Sequence, residues 1–220
     1  MGLSHDPRPP SIPIRRTGLQ PAAPGGKPRT GNRAQLNAIA SASARGTSLR
    51  ASQGGHVLYF RHASTDFSQN DERMKGYEDC AHQRNLTEEG RAEARSIGAS
   101  IRKLGIPFGR VLASPLCRTV DTAELAFGRA EKLQEVRGGP AAPASADRYA
   151  ALRRILAAPV PLGTNIAIVS HGNPFISIAG PPYLAEGEAA VIRATAGDFQ
   201  VIARIRLGDW ETLKTPAGAR

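Results

Sequence analysis

Two arginines and two histidines stand at positions where they could bind and attack a phosphoryl group. Arg61 and His62 come directly after the apolar run "VLYF", and His171 comes one residue after "IAIV". Arg118 lies shortly after a third run, "VLA". Guanidinium groups bind phosphate oxygens through paired hydrogen bonds, and a neutral imidazole can act as a nucleophile. These residue types predict an oxyanion site if the fold brings them together.

The elements that must position these residues are predicted strands alternating with helices. Apolar runs predict strands at 57–60, 111–113 and 166–169, and further β segments are predicted at 132–136, 189–194 and 199–207. Alternation of this kind is typical of an α/β fold with a mostly parallel sheet and helices on both faces. Ligands bind beyond the carboxyl ends of such strands, where the arginines and histidines stand.

Three helices are predicted from capping residues and apolar spacing. The first spans 87–105, with a threonine cap and a glycine stop. Ser114 and Pro115 are predicted to be the cap and first residue of the second, which would put Arg118 in its first turn. A third is predicted to begin after a cap at Ser145. The long polar stretch between the first strand and the first helix predicts a functional loop.

Charge and composition divide the chain into three parts. The net charge is +10, and residues 1–54 hold eight of the cations but a single acidic residue. This Pro-, Ser- and Arg-rich leader is predicted to be disordered, with a folded domain at 55–210 and a tail at 211–220. Because the leader holds most of the excess charge and has no aromatic residues for base stacking, no nucleic-acid partner is predicted.

Two cysteines, Cys80 and Cys117, fit no zinc or redox motif. They are either free thiols in a cytosolic protein or one disulfide in an exported protein. A cytoplasmic location is predicted, with export as the alternative if the start is misplaced. No apolar run approaches the roughly 18 residues needed to span a membrane, so no membrane partner is predicted.

Four motifs in succession resemble those of the histidine phosphatase superfamily, also called phosphoglycerate mutase-like. They are "FRHASTD", "LTEEGRAEA", "LASPLCRTVDTAELAFG" and "IVSHGNPF". The resemblance, closest to the small phosphatases of the superfamily, implies a three-layer α/β/α sandwich. It implies that His62 is the nucleophile and that Arg61, Arg118 and His171 complete a phosphate pocket.

The resemblance leaves the proton donor open. "LQE" offers Glu135 as the acid, and Asp66, Glu186 and Glu188 are rivals. Ser68, six positions after the predicted nucleophile, is expected to bind phosphate. No cofactor is expected, and no metal site is predicted.

The expected function is a metal-independent phosphatase that hydrolyses a phosphomonoester or phosphohistidine through a phosphohistidine intermediate. Ala63, which stands where the family usually has glycine, and the uncertain acid leave two alternatives: a catalytically weak phosphate sensor or scaffold, or a mutase-type phosphotransferase. The expected partner is a phosphorylated small molecule or a phosphoprotein, and the oligomeric state is left open. Arg84 and Asn85 are assigned either to the pocket mouth or to an ordinary loop.

Overall fold

The computed structural model describes residues 51–137 and 147–213, and its centre is a six-stranded sheet. The strands lie in the order β3-β2-β4-β1-β5-β6. β3, β2, β4 and β1 run parallel to one another. β5 is antiparallel to β1, and β6 is antiparallel to β5. This confirms the predicted α/β class. The bounds are β1 Val57–Arg61, β2 Phe108–Ala113, β3 Glu131–Lys132, β4 Asn165–Ser170, β5 Ala189–Ala194 and β6 Phe199–Ile205.

Helices cover both faces of the sheet because the buried strands are apolar on both sides. Leu58 and Phe60 share one apolar cluster with side chains of α1 and α2, whereas Val57 and Tyr59 share another with side chains of α3 and α4. Successive strand residues point to opposite faces, so one strand serves both clusters and three layers result. The helices are α1 Glu88–Lys103, α2 Cys117–Phe127, α3 Ala150–Ala157 and α4 Gly172–Ala179.

The two helix starts predicted before residue 120 have different outcomes. Thr87 caps α1, since its Oγ1 accepts a hydrogen bond of 2.9 Å from the Gly90 N–H. The second prediction was wrong: α2 begins at Cys117 with Leu116 as its cap, not at Ser114 and Pro115. The Ser114 N–H still follows the sheet and donates to the Val169 carbonyl. Arg118 nevertheless lies in the first turn, as predicted.

Two further predictions are corrected or fall outside the described residues. The segment predicted as a strand at 132–136 is a two-residue strand, β3, followed by a 3-10 turn at Gln134–Val136. β6 ends at Ile205, two residues earlier than predicted. The cap predicted at Ser145 lies outside the described residues, and α3 begins at Ala150.

The folded domain extends past both predicted boundaries. Ala51 is buried in the core, and its carbonyl accepts a hydrogen bond of 2.7 Å from the buried Asn165 amide. At the other end, Leu213 is also buried in the core. The domain therefore includes 51–54 and 211–213, which were assigned to the leader and the tail. Residues 1–50 and 214–220 lie outside the described part. No helix in 51–137 or 147–213 is both long and apolar enough to cross a membrane.

Cys80 and Cys117 form a disulfide. The sequence had left open whether the two cysteines are free thiols or are bonded to each other. The disulfide joins the loop between β1 and α1 to the first residue of α2. Gln83 supports the same junction, because its Oε1 accepts from the Cys117 N–H at 2.9 Å and its Nε2 donates to the Tyr77 carbonyl. The loop is thus tied to the helix turn that carries Arg118.

Reduction of this disulfide is expected to lower the free energy of unfolding. The two cysteines are 37 residues apart, and the loop-entropy relation gives about 4 kcal/mol for a loop of this length. Urea denaturation with and without reductant measures the loss. A variant with both cysteines replaced by alanine is expected to resemble the reduced protein and to ignore reductant. Equal stability of the oxidised and reduced wild type would contradict the prediction.

Candidate active site

The carboxyl ends of three neighbouring parallel strands meet at one edge of the sheet. In the strand register, Arg61 of β1 lies opposite Ser170 of β4, and Ala113 of β2 lies opposite Val169. The His62 N–H donates to the Ser170 carbonyl at 3.0 Å. The chain therefore leaves the sheet at the same level in all three strands. This alignment brings together segments that are far apart in the sequence.

A cavity of about 230 Å³ opens at this edge. It is lined by all four residues on which the sequence prediction centred: Arg61, His62, Arg118 and His171. Several residues not assigned to the pocket in advance also line it, including Asp71, Arg137, Arg148, Tyr149 and Tyr183. Arg84 lines it too, which settles its position in favour of the pocket. Five arginines around one small cavity create a strongly positive potential.

Two predicted site residues do not line this cavity. Ser68 is exposed, and its hydroxyl donates to the Asp66 carboxylate at 2.7 Å. Glu135 is exposed as well and lines a neighbouring cavity with Asp147 and Arg154. Both belong to segments whose paths depend on tertiary contacts, so their distance from His62 could not be read from spacing in the sequence.

His62 is held as a neutral imidazole with its Nε2 unprotonated. Its Nδ1 lies 2.9 Å from the Ala63 carbonyl, which can only accept, so Nδ1 carries the proton. The pKa of His62 is lowered to about 3, mainly by burial and also by the charges of Arg118 and Arg61, although the Ala63 bond opposes this. The lone pair of Nε2 is therefore available at neutral pH.

His171 is fixed by the residue that the sequence assigned to a helix cap. The Ser114 hydroxyl lies 2.8 Å from its Nε2, and the Tyr59 hydroxyl donates to its backbone carbonyl at 2.9 Å. The rings of His62 and His171 are 5.5 Å apart between centroids. Burial, followed by electrostatic interaction with the neighbouring His62 and Arg118, holds the pKa of His171 well below its usual value.

The turn after His62 is braced by α1, which gives the "LTEEGRAEA" motif a structural role. Both carboxylate oxygens of Glu93 accept from Ser64, one from its N–H and one from its hydroxyl. The Thr87 N–H donates to the Ser64 carbonyl at 3.1 Å. Gly90 faces that same carbonyl so closely that a Cβ would overlap it. The methyl group of Ala63 packs in a small apolar cluster beside this turn.

Arg61 is positioned by Glu186, one of the rival acids. The Arg61 guanidinium donates to the Glu186 carboxylate and to the Leu184 carbonyl, each at 3.0 Å. Both carboxylate oxygens of Glu186 also accept bonds from Thr65. Glu186 thus orients Arg61, and the turn from His62 to Thr65 is tied to the loop before β5.

Arg118 forms a two-pronged ion pair with Asp71, a residue that no sequence pattern singled out. Its two terminal nitrogens each lie 3.0 Å from a carboxylate oxygen. The guanidinium is buried, and it also donates to the Arg84 carbonyl. Asp71 is one of several acids in the loop after β1, and nothing in its neighbours distinguishes it from Asp66, Glu72 or Asp79.

The neutral histidines are expected to make the protein less stable in acid. The unfolded chain takes up a proton on His62 as the pH falls below 6.5, whereas the folded site resists protonation until about pH 3. Stability is therefore lost as the pH falls through the unfolded pKa, by about 2 kcal/mol between pH 7 and pH 5 for His62.

Urea denaturation at the two pH values tests this. Between pH 7 and pH 5, the free energy of unfolding of His62→Gln is expected to fall by about 2 kcal/mol less than that of the wild type. The exposed His82 is the matched control. His82→Gln is expected to lose at least as much stability between the two pH values as the wild type does. An unchanged pH dependence in His62→Gln would contradict the neutral assignment.

Comparison with known proteins agrees with the site. The model of the histidine phosphatase superfamily (branch 1) matches residues 57–141, which include Arg61, His62 and Arg118. A search of curated proteins by sequence found no match.

Solved structures that match part of this chain include three phosphatases. A candidate phosphohistidine phosphatase SixA from Agrobacterium tumefaciens is 18% identical, with a TM-score of 0.48, over 69% of this chain and 97% of that one. Phosphoserine phosphatase from Entamoeba histolytica with 3-phosphoglyceric acid is 15% identical, with a TM-score of 0.46, over 68% and 95%. The alpha-ribazole phosphatase of Shigella flexneri is 16% identical, with a TM-score of 0.44, over 66% and 94%.

The four motifs follow one another in the expected order, and the strand ends bring the predicted Arg, His, Arg and His residues to one cavity. The family match falls on the segment that holds three of them. The chain is therefore similar to the histidine phosphatase superfamily over residues 57–141.

Proposed function

We propose that this protein is a phosphatase that hydrolyses a phosphomonoester or phosphohistidine through a phosphorylated His62. The similarity of residues 57–141 to the histidine phosphatase superfamily supports phosphatase-type chemistry in general. The finer assignment is supported mainly by one observation: His62 is buried, and its Nδ1–H is tied to the Ala63 carbonyl beside two arginines. An imidazole held neutral in this way has a free electron pair where phosphate binds.

Arg61, Arg118 and His171 supply the electrostatic part of the mechanism. The phosphoryl oxygens of the substrate take hydrogen bonds from the two guanidinium groups. Arg61, Arg118 and His171 all line the same cavity. Donors placed before the reaction stabilise charge without reorganising, which is usually the largest contribution to catalysis of this kind. Arg84 and Arg137 add positive potential that favours a dianionic phosphate.

The reaction has two steps. The Nε2 of His62 attacks phosphorus as the bond to the leaving oxygen breaks, and that oxygen takes a proton from an acid. Water then attacks the phosphohistidine, the P–N bond breaks, and its electron pair returns to Nε2. The Nδ1–H bond to Ala63 keeps the ring in one tautomer through both steps. Glu135 as the acid and Ser68 as a phosphate ligand stay predictions, and neither lines the cavity.

The partners and the compartment are part of the proposal. The substrate is a phosphorylated small molecule or a phosphoprotein, no cofactor or metal ion takes part, and no nucleic acid is bound. The cytoplasmic location stays a prediction. The disulfide between Cys80 and Cys117 favours the alternative, an oxidising compartment, because disulfides persist mainly there.

Loss of the nucleophile is expected to abolish turnover. His62→Ala should lower kcat on 4-nitrophenyl phosphate by on the order of 10³-fold or more, in the presence of a metal chelator. The nitrophenolate released is measured by its absorbance. His82→Ala makes the same change at an exposed histidine outside the cavity and is expected to keep wild-type turnover.

Other outcomes would point away from this mechanism. Wild-type rates in His62→Ala would contradict the histidine nucleophile, and loss of turnover in chelator would contradict a metal-independent reaction. Vanadate binding by a wild type that hydrolyses no member of a broad phosphoester panel would favour the sensor. Phosphoryl transfer between monophosphoglycerates that exceeds phosphate release would favour the mutase.

A further inference from the structure

Asp71 is the one acidic side chain among the described residues that line the cavity. It lies in the loop between β1 and α1, and about a third of its side chain is exposed. Its carboxylate accepts hydrogen bonds from both terminal nitrogens of Arg118 and from the Arg84 backbone N–H, the latter at 2.9 Å. A carboxylate in this position faces the space that the substrate must enter.

Substrate binding must change the partner of Asp71. The proposed function requires Arg118 to bind the phosphoryl oxygens, and one guanidinium cannot make the same paired bonds to two anions. A phosphoryl group that takes this fork removes two hydrogen bonds from the Asp71 carboxylate. It also places a second anion beside it.

Both changes favour protonation of Asp71. In the free protein, burial opposes ionisation, but the bonds from Arg118 and from the Arg84 N–H outweigh it, so the pKa of Asp71 lies below its usual value. Loss of the Arg118 bonds and approach of a phosphate dianion both raise the pKa. A phosphomonoester has a second pKa near 6, so a monoanionic substrate can bring in the proton that the carboxylate takes up.

We propose that Asp71 is the general acid, and that it gains its proton when the substrate displaces it from Arg118. This rests on the proposed function. In the first step the P–O bond breaks as the bond from Nε2 of His62 to phosphorus forms, and the leaving oxygen takes the Asp71 proton. In the second step water attacks the phosphohistidine, the P–N bond breaks with its electron pair returning to Nε2, and both protons of the water leave with the product as dihydrogen phosphate. The Asp71 carboxylate, which lost its proton in the first step, then pairs with Arg118 again.

The other carboxylates are placed less well for this role. Glu135 lines the neighbouring cavity. Glu186 is engaged by Arg61 and Thr65, and Glu188 by Arg204 and the Ala185 N–H. None of these three lines the cavity that holds His62.

The test compares two substrates that share a phosphoryl group and differ in the leaving group. 4-Nitrophenolate leaves without a proton, whereas the alkoxide of 2-glycerol phosphate needs one. Asp71→Asn is expected to keep kcat on 4-nitrophenyl phosphate within about 3-fold of the wild type and to lower kcat on 2-glycerol phosphate by about 10²-fold or more. Glu72→Gln, in the same loop and exposed, is the matched control and should change neither rate.

Each outcome decides something. Equal losses on the two substrates would overturn the acid role and leave the phosphatase standing. A loss confined to 2-glycerol phosphate in Glu135→Gln, and absent in Asp71→Asn, would assign the acid to Glu135. Failure of the wild type to hydrolyse either substrate would overturn the proposed function and the acid role together.

A second measurement needs no variant. The wild-type kcat for 2-glycerol phosphate is expected to fall at high pH as Asp71 loses its proton in the substrate complex, and the kcat for 4-nitrophenyl phosphate is expected to lack this fall. The same high-pH fall for both substrates would contradict a proton donated to the leaving group.

Discussion

The alignment of three parallel strand ends is the constraint on which the site depends. β1, β4 and β2 are hydrogen-bonded neighbours, and their register brings Arg61 level with Ser170 and Ala113 level with Val169. A shift of one residue would turn every side chain of a strand to the opposite face, so the apolar packing of both faces fixes this register. The same packing that makes the core therefore sets the positions of the arginines and histidines at the strand ends.

The site concentrates positive charge, and the fold compensates for it one arginine at a time. Arg61 is held by Glu186, and Arg118 by Asp71. The two pairs differ in kind. Glu186 is also bonded to Thr65 and so belongs to the framework of the site, whereas Asp71 lines the cavity itself. Where a ligand must compete with an internal carboxylate, binding and protonation become linked, which is the basis of the role proposed for Asp71.

Several parts of the fold and the site could be predicted because their signals are local. The apolar runs before Arg61 and His171 indicate buried strands, and Thr87 with the glutamates after it indicates a helix start. The start of α2 was misplaced because "SP" satisfies the local rules for a cap and a first helical residue. The Ser114 backbone instead continues to bond to β4, and its hydroxyl contacts His171. A tertiary contact outweighed a local preference.

The sequence by itself determined the α/β class, the residues at the strand ends and the resemblance to a family. Those properties follow from hydrophobic periodicity and from motifs that lie within short segments. The tertiary structure decided the rest: the disulfide between Cys80 and Cys117, the absence of Ser68 and Glu135 from the cavity lining, and the pairing of Asp71 with Arg118. Each of these depends on the path of a loop, and a loop path is set by contacts between residues distant in the chain, which no local pattern encodes.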